Sequence, residues 1–569
     1  VSHDSSWAID LGTTNTGVAR WDDAAGQPTL VELASICRRP AAADPMQAPR
    51  MVPSAVQLVE NPRLIDRLGA WPPLRRSMFL GRTAIIGQPA VDDNLGRSRP
   101  SFVPTFKHAY ADDPLRVIGR VGNRGVTARH VAQAYLRELL AAIKQTTGHR
   151  VRDLTVTVPV SAFETYRAGL QRLAHGVGVR RVRFVDEPVA AALGYGLSLT
   201  EERNLLVADL GGGTMHVALV RMAPATARAG RAQVLGKQVR PLGGNTVDGW
   251  VLEEFCGRVG WSVGSADEIH DDTQRFWRRL MLAEACRVKE AVFFEPEASF
   301  RLLPPGLIDG LASNTPGAAL VELSRDRLLD ILDANSYFGE LEECIAGALG
   351  RDVSAPVAEA DVDEVLLVGG STLLPGVFSF FEERFGRRRV RAWHPFEAVA
   401  LGGAVYAAER YAQVDFIVHD YAFLTHDPDT GEPQHTVIVP RGTRFPTAPD
   451  LWQRQVVPTC SLGEAETTFK LVILEISRAE GSDRRFVWDA SGDLHTVGGD
   501  VPTDPEVVVA LNEASPTLGF LDPPHRPGDR RPRVKVAFGV NAERWLVATV
   551  VDLFTNRTLL RTEPVVRLV

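Results

Sequence analysis

The sequence predicts an α/β region over residues 1–412 and an all-β domain over residues 422–569. Three observations carry that reading. Strand-like and helix-like segments alternate up to about residue 412, as they do in α/β folds. Beyond about residue 421 the helical period disappears, and short apolar runs are separated by clusters of Pro, Gly and Asp. Finally, "AIDLGTTNTGVARW" (8–21) has an echo in "VADLGGGTMHVALV" (207–220). Each has an apolar run, then Asp-Leu-Gly, then Thr, then a second apolar run. Asp10 therefore corresponds to Asp209, and the chain reads as an ancient duplication with two similar halves facing each other.

Each element follows from local pattern. Asp-Leu-Gly between two apolar runs predicts a β-hairpin with a glycine turn at both places. "TARHVAQAYLRELLAAIKQTTG" (127–148) predicts a helix: Thr127 can cap its start, Val131, Tyr135, Leu139 and Ile143 share one face, and Gly148 can end it. "LTVTVPV" (154–160) alternates as a strand. "EPVAAALGYG" (187–196) has Pro188 where a first helical turn tolerates it. "VLLVGGSTLLPGV" (365–377) is an apolar strand, then a glycine turn that can open a helix. "FEAVALGGAVYAAERY" (396–411) is a helix with Gly402 and Gly403 inside, a costly choice that implies something packed against that backbone. The connecting segment, 413–421, is apolar for a linker, which favours docking over floating. "HTVIVP" (435–440), "TTFKLVILEI" (467–476), "RVKVAFGV" (533–540) and "RWLVATVVD" (544–552) read as strands, and the chain stops after a last short one, "VVRLV".

Bulk properties narrow the function classes. With 569 residues, two or three domains are expected; 45% hydrophobic and 23% charged residues describe a globular protein. A net charge of −7 argues against nucleic acid as the main partner. No apolar run reaches the roughly 18 residues of a membrane span, so no membrane partner is expected. The five cysteines are scattered, without CxxC or histidines at metal-ligand spacing, which favours free thiols in a reducing, cytoplasmic compartment. The N-terminus lacks both a secretory pattern and an initiator Met.

The glycine turns raise a phosphate question. Gly211, Gly212 and Gly213 leave backbone N–H groups bare, and such groups cradle phosphate oxygens. Thr13, Thr14 and Thr214 add hydroxyl donors. Asp10 and Asp209 suit Mg²⁺ held through its waters. No GxxxxGK[ST] occurs, nor GxGxxG before a helix. Alone, the second turn is equally well a tight hairpin; paired with its echo it favours a nucleotide.

These pieces, in this order, resemble the actin-fold ATPases, and within them the seventy-kilodalton heat-shock (DnaK-type) chaperones. The resembling segments are "IDLGTTNTG", "ADLGGGT", "LLVGGSTLLPGV", "VDEPVAAALGYG", "HPFEAVALGGAVYAA", "LGGNTVD" (242–248), the linker "DFIVHD" and the strands from 437 and 533 onward. The resemblance implies an actin-like two-lobed ATPase domain over 1–412 built of duplicated ribonuclease-H-like halves, a linker over 413–421, and a β-sandwich over 422–569 that binds extended apolar peptide. It implies ATP/ADP and Mg²⁺ as cofactors. Asp10, Glu187, Asp209 and Thr214 would serve catalysis, with Asp10 and Asp209 holding the metal through water. Gly12, Thr13, Thr14, Asn15, Gly211, Gly212, Gly213, Gly243, Gly244, Lys289, Gly369, Gly370 and Ser371 would hold the nucleotide. Pro159, Arg167, Pro188 and Asp420 match the relay from nucleotide to linker. Arg183 falls where a J-domain co-chaperone binds, and a nucleotide-exchange factor is a further implied partner.

Several positions depart from the family. Its catalytic lysine after "GQPA" is Val91 here, with Lys107 nearby as a candidate substitute, although a structural role is the expectation for Lys107. An aspartate of the second phosphate motif is His216, a poor group for the water shell of Mg²⁺. Cys286 and Leu373 replace Glu and Arg around the adenine. The family's α-helical lid has no counterpart. The expected function is therefore an ATP-binding chaperone for unfolded or extended apolar polypeptides with slow or partner-dependent ATP hydrolysis. The alternative is a non-hydrolysing nucleotide-binding scaffold or regulator, and a sugar kinase of the same superfold is a distant third.

Overall fold

The structure is a computed structural model that describes residues 6–38, 51–59, 84–97, 99–159, 164–197, 201–261, 272–303, 322–351, 356–409, 417, 419–427, 430–458, 464–477, 485–497, 506–513, 516–541 and 544–568. The chain divides into two compact units, residues 1–385 with 390–412, and residues 386–389 with 413–569. The expected linker, 413–421, lies mostly outside the described residues.

The first unit is built twice on one plan. Its first sheet contains β1 (Trp7–Leu11), β2 (Asn15–Asp22), β3 (Gln27–Leu30), β4 (Asp153–Val158) and β5 (Arg181–Asp186) in the order β5-β4-β1-β2-β3. The second contains β6 (Arg203–Leu210), β7 (Met215–Met222), β8 (Gln233–Arg240), β9 (Glu364–Val368) and β10 (Val390–Arg391) in the order β8-β7-β6-β9-β10. In both, an antiparallel hairpin continues into two parallel strands. Asp10 and Asp209 therefore sit at the same place in the two repeats, each near the end of the first hairpin strand.

The helices obey the local signals. The helix Ala128–Thr147 starts with Thr127 Oγ1 accepting from the His130 N–H and ends at Gly148 with φ 76°. Its apolar face, including Val131, Tyr135, Leu139 and Ile143, is buried in the first-sheet core. Two helices follow the parallel strands of their sheets: Glu187–Gly194, with Pro188 in its first turn, and Ala398–Ala407. They cross in direct backbone contact. A Cβ on Gly402 would overlap the Ala190 carbonyl, and one on Gly194 would overlap that of Ala398. Of the two interior glycines of "VALGGAVYAA", Gly402 thus marks a close helix crossing, and Gly403 faces Ala8 and Thr157 of the first sheet.

The second unit is a β-sandwich. Its strands include β11 (Asp420–His426), β12 (Pro433–Val439), β13 (Trp452–Val456), β14 (Glu466–Leu471), β15 (Ile473–Ser477), β16 (Val507–Ala510), β17 (Thr517–His525), β18 (Val534–Val540), β19 (Trp545–Asp552) and β20 (Arg557–Arg567). One sheet runs β12-β11-β15-β16 and the other β13-β18-β19-β20. Tyr421, Phe423 and Ile438 from the first meet Val536, Phe538, Leu546 and Ala548 from the second in one core.

Two strand expectations are corrected. "TTFKLVILEI" is two strands: β14 pairs with β17, while β15 pairs with β11 and β16. At the break the Asn512 amide donates to the Leu471 carbonyl (2.9 Å) and accepts from the Ile473 N–H (2.9 Å). The side chain replaces the ladder where the chain changes sheets, which a continuous apolar run cannot reveal. The first three residues of "VVRLV" are likewise the end of one long strand, β20, whose register against β19 shifts along its length.

Candidate functional site

The two Asp-Leu-Gly hairpin turns open onto one cavity of about 230 Å³ in the first unit. The turn after β1 brings Gly12, Thr13 and Thr14, and the turn after β6 brings Gly211, Gly212, Gly213 and Thr214. They face each other closely: a Cβ on Gly212 would stand 3.0 Å from Thr14 Oγ1, whereas one on Gly213 would project into open space. Both turns are braced from behind. Ser54 donates its hydroxyl to the Gly12 carbonyl (2.8 Å) and its N–H to that of Thr14 (2.8 Å). Gly211 and Gly212 carbonyls accept from the N–H groups of Gly244 (3.0 Å) and Asn245 (2.7 Å), and Ser371 Oγ donates to Gly211 (2.9 Å).

Every residue expected to serve catalysis or hold nucleotide lines this cavity except Gly243. Gly243 packs against the Gly211 and Gly212 backbone instead, leaving no room for a side chain. Of the expected relay, Pro188 lines the cavity and Pro159, Arg167 and Asp420 do not. Arg167 is buried and donates to Asp186 Oδ1 (2.6 Å), one residue before Glu187. Asp420 opens β11 in the second unit, where its carboxylate accepts from the Arg441 N–H (2.8 Å). Arg183 pairs with Glu409 (3.1 Å) and donates to the Ala407 carbonyl (2.6 Å).

Electrostatics divide the cavity into two ends. At one end Asp10, Glu187 and Asp209 gather around Lys107, whose ammonium lies 3.0 Å from Glu187 Oε1. Burial and then the Glu187 charge push the Asp10 carboxyl up to about 6, although Lys107 and a 2.6 Å hydrogen bond from Thr157 work against this. The same two causes push Asp209 up to about 7. Burial pulls the Lys107 ammonium down, but Glu187, Tyr166 and Asp10 outweigh it and hold lysine above its ordinary value. His216 opposes Asp209 across the hairpin, and burial holds its imidazole below the ordinary histidine value. At the other end Lys289 pairs with Asp248 (2.7 Å) and donates to the Gly244 carbonyl (3.2 Å). Beside it, Cys286 donates to Glu290 (3.6 Å), which Arg38 approaches at 3.9 Å.

The residues present fit a magnesium-bound nucleoside phosphate. The expectation of three bare turn amides is corrected at Gly211, whose N–H donates to the Thr214 carbonyl (3.0 Å) and closes the turn; the amides of Gly212 and Gly213 are the ones left to face an anion, and the carboxylates suit a cation. Asn15 Oδ1 and His216 Nε2 are shielded from water and have no hydrogen-bond partner among the described residues. Among those residues no three His, Cys, Asp or Glu side chains are placed to hold a metal directly.

Sequence reasoning did not single out Arg38, Asn245, Asp248, Glu290, Phe293 and Phe396, which also line the cavity, as does Lys107. Asn245 and Asp248 lie in "LGGNTVD" and Phe396 in "HPFEAVALGGAVYAA", where the glycines drew attention away from them; Arg38, Glu290 and Phe293 lie in no motif. Leu373, expected near a base, is buried and does not line the cavity; Cys286 does. Val91 is not a lining residue either. Among the described residues no helix is long and apolar enough to cross a membrane.

A duplicated pair of sheets with matched phosphate-type turns defines the actin-like class of two-lobed nucleotide domains, here followed in sequence by a β-sandwich. The sequence matches the family described as "Hsp70 protein" over residues 7–478, and the chain belongs to that family. Among curated proteins it is similar to "Chaperone protein DnaK" of Thermus thermophilus, 27% identical over 456 residues, covering 77% of this chain and 66% of that protein. It is also similar to "Chaperone protein dnaK1" of Prochlorococcus marinus, 29% identical over 457 residues, covering 77% of this chain and 61% of that one. The chain thus spans just under two thirds of the length of these relatives.

Proposed function

We propose that this chain is a molecular chaperone that binds ATP with Mg²⁺ in its first unit and extended apolar polypeptide in its β-sandwich. One observation carries the reading: two hairpin turns of the same plan, from two repeats, line one cavity with a cluster of carboxylates and an ammonium. In this reading the turn amides, Thr13, Thr14 and Thr214 hold phosphates. Asp10 and Asp209 hold metal-bound water. Glu187 orients water, and Lys289 with Gly369, Gly370 and Ser371 lies toward the nucleoside. Bound metal would neutralise phosphate charge, and the protein's share is to position and to exclude water.

Pro188, which lines the cavity, is the relay element nearest the phosphate end, and Arg167, bonded to Asp186 beside Glu187, stands one step behind it. The reading extends to a cytoplasmic setting, to a J-domain partner at Arg183 and to a nucleotide-exchange factor. Its test is the dissociation of a labelled apolar peptide from the full chain with ADP and with ATP. Faster release with ATP supports it; release indifferent to nucleotide overturns the coupling.

His216 favours a second reading, a nucleotide-binding scaffold that does not hydrolyse. A neutral imidazole stands at the cavity with its Nε2 unpartnered among the described residues. Phosphate release by the wild type and by His216→Asp with Val91→Lys separates the two. Comparable turnover in both sinks the scaffold reading.

A further inference from the structure

Three cations line the cavity among the described residues: Arg38, Lys107 and Lys289. Lys289 is committed to Asp248 and the Gly244 carbonyl, and Arg38 faces Glu290. Lys107 is the one at the carboxylate end. Its side chain is only 13% exposed, and its one hydrogen bond among the described residues goes to Glu187. An ammonium has three N–H donors, so two remain unspent beside the cavity. Burying unspent donors is costly without a partner, and Glu187 alone does not balance the local charge. Asp10, Glu187 and Asp209 together outnumber one lysine, and an arriving triphosphate adds more negative charge.

The segment that carries Lys107 is pinned to the first phosphate-type turn. Thr105 Oγ1 donates to the Thr13 carbonyl (2.9 Å), and His108 Nε2 lies 3.3 Å from Thr13 Oγ1. Lys107 starts the short helix Lys107–Asp112 between these two anchors. A residue that merely filled space would not need both neighbours fastened to that turn.

We infer that Lys107 is the cation that meets the terminal phosphate of the nucleotide, with Glu187 holding its ammonium in place. The inference rests on the ATP reading above. A fixed cation there favours a triphosphate over a diphosphate and steadies charge on the transferring phosphoryl group.

The test uses the full chain as wild type, Lys107→Met, Lys107→Arg and the double variant Lys107→Met with Glu187→Gln. Calorimetry with Mg²⁺ measures affinity for ADP and for a non-hydrolysable ATP analogue, and single-turnover ATP hydrolysis is followed separately. Lys107→Met should keep ADP affinity within about twofold, lose about tenfold for the analogue, and lose about 10²-fold in single-turnover rate. Lys107→Arg should retain most of the analogue preference. The double variant removes the orphaned carboxylate, so it should melt like wild type yet still lack the preference. An unchanged analogue-to-ADP ratio in Lys107→Met, or its return in the double variant, overturns the inference and leaves the ATP reading standing. Failure of the wild type to bind either nucleotide overturns that reading and this inference with it.

Discussion

Asp209→Asn should stabilise the ligand-free protein while removing its affinity for magnesium nucleotide. Burial first, then Glu187, raise the Asp209 carboxyl from 3.8 to about 7. At about 1.4 kcal/mol per pH unit, a shift of about three units is a penalty of about 4 kcal/mol for the ionised carboxylate in the folded state. Asparagine keeps the shape and removes the charge. Its amide gains no evident partner, which returns about 1 kcal/mol, so the expected net gain is about 3 kcal/mol at pH 7.5. The sign of the pH dependence follows from proton binding. Between the unfolded value and about 7 the folded protein holds a proton that the unfolded chain has released. The Asp209 contribution to stability is therefore most favourable at low pH and is lost as pH rises through that window. Thermal unfolding without metal or nucleotide, at intervals from pH 5 to pH 8, provides the measurement. The variant should melt several degrees above wild type at pH 7.5, and the difference should shrink toward zero near pH 5. A variant no more stable at pH 7.5, or a difference independent of pH, would refute the view that uncompensated carboxylates strain this cavity.

Three further outcomes are expected. Arg167→Ala removes the 2.6 Å charged hydrogen bond to buried Asp186, whose other carboxylate oxygen accepts from the Ala232 N–H, and chemical denaturation should show a loss of about 3–5 kcal/mol in the first unit. Gly402→Ala drives a methyl into the Ala190 carbonyl at the helix crossing; soluble yield and melting temperature should fall sharply, by well over the ~1 kcal/mol that a glycine-to-alanine change ordinarily gains in a helix. Leu518 and Phe520 stand on the exposed side of β17, 45% and 71% exposed. If peptide binds there, Phe520→Ser should weaken apolar-peptide affinity about tenfold without moving the melting temperature; equal affinity would place the peptide elsewhere on the sandwich.

The repeated hairpin is legible because both copies keep Asp-Leu-Gly at the end of an apolar strand, and the structure places those strands identically in two sheets of the same order. Helix ends are legible for a similar reason: Thr127 and Gly148 act locally, through their own backbone. The break at Val472 is not, because it is decided by Asn512, some forty residues away, bonding to both sides. Alternation along "FKLVILEI" is the same whether the chain stays in one sheet or changes sheets there.

The cavity separates the same two kinds of information. Its turns are written in the sequence, since a side chain at Gly12 would overlap the Asn15 carbonyl and one at Gly212 would crowd Thr14 and Asn245. Its cations are not. Lys107 reaches Glu187 across 80 residues of sequence, and no spacing rule joins them. Departures at single motif positions therefore say little about the charge of the whole site. A lysine absent from one loop is chemically equivalent to a lysine supplied from another, provided its ammonium arrives buried, oriented and with donors to spare. Lys107 meets those conditions, so Val91 is weak ground for reading the site as inert. His216 is the stronger ground, because an imidazole cannot replace the oxygen that a water-coordinated magnesium ion prefers.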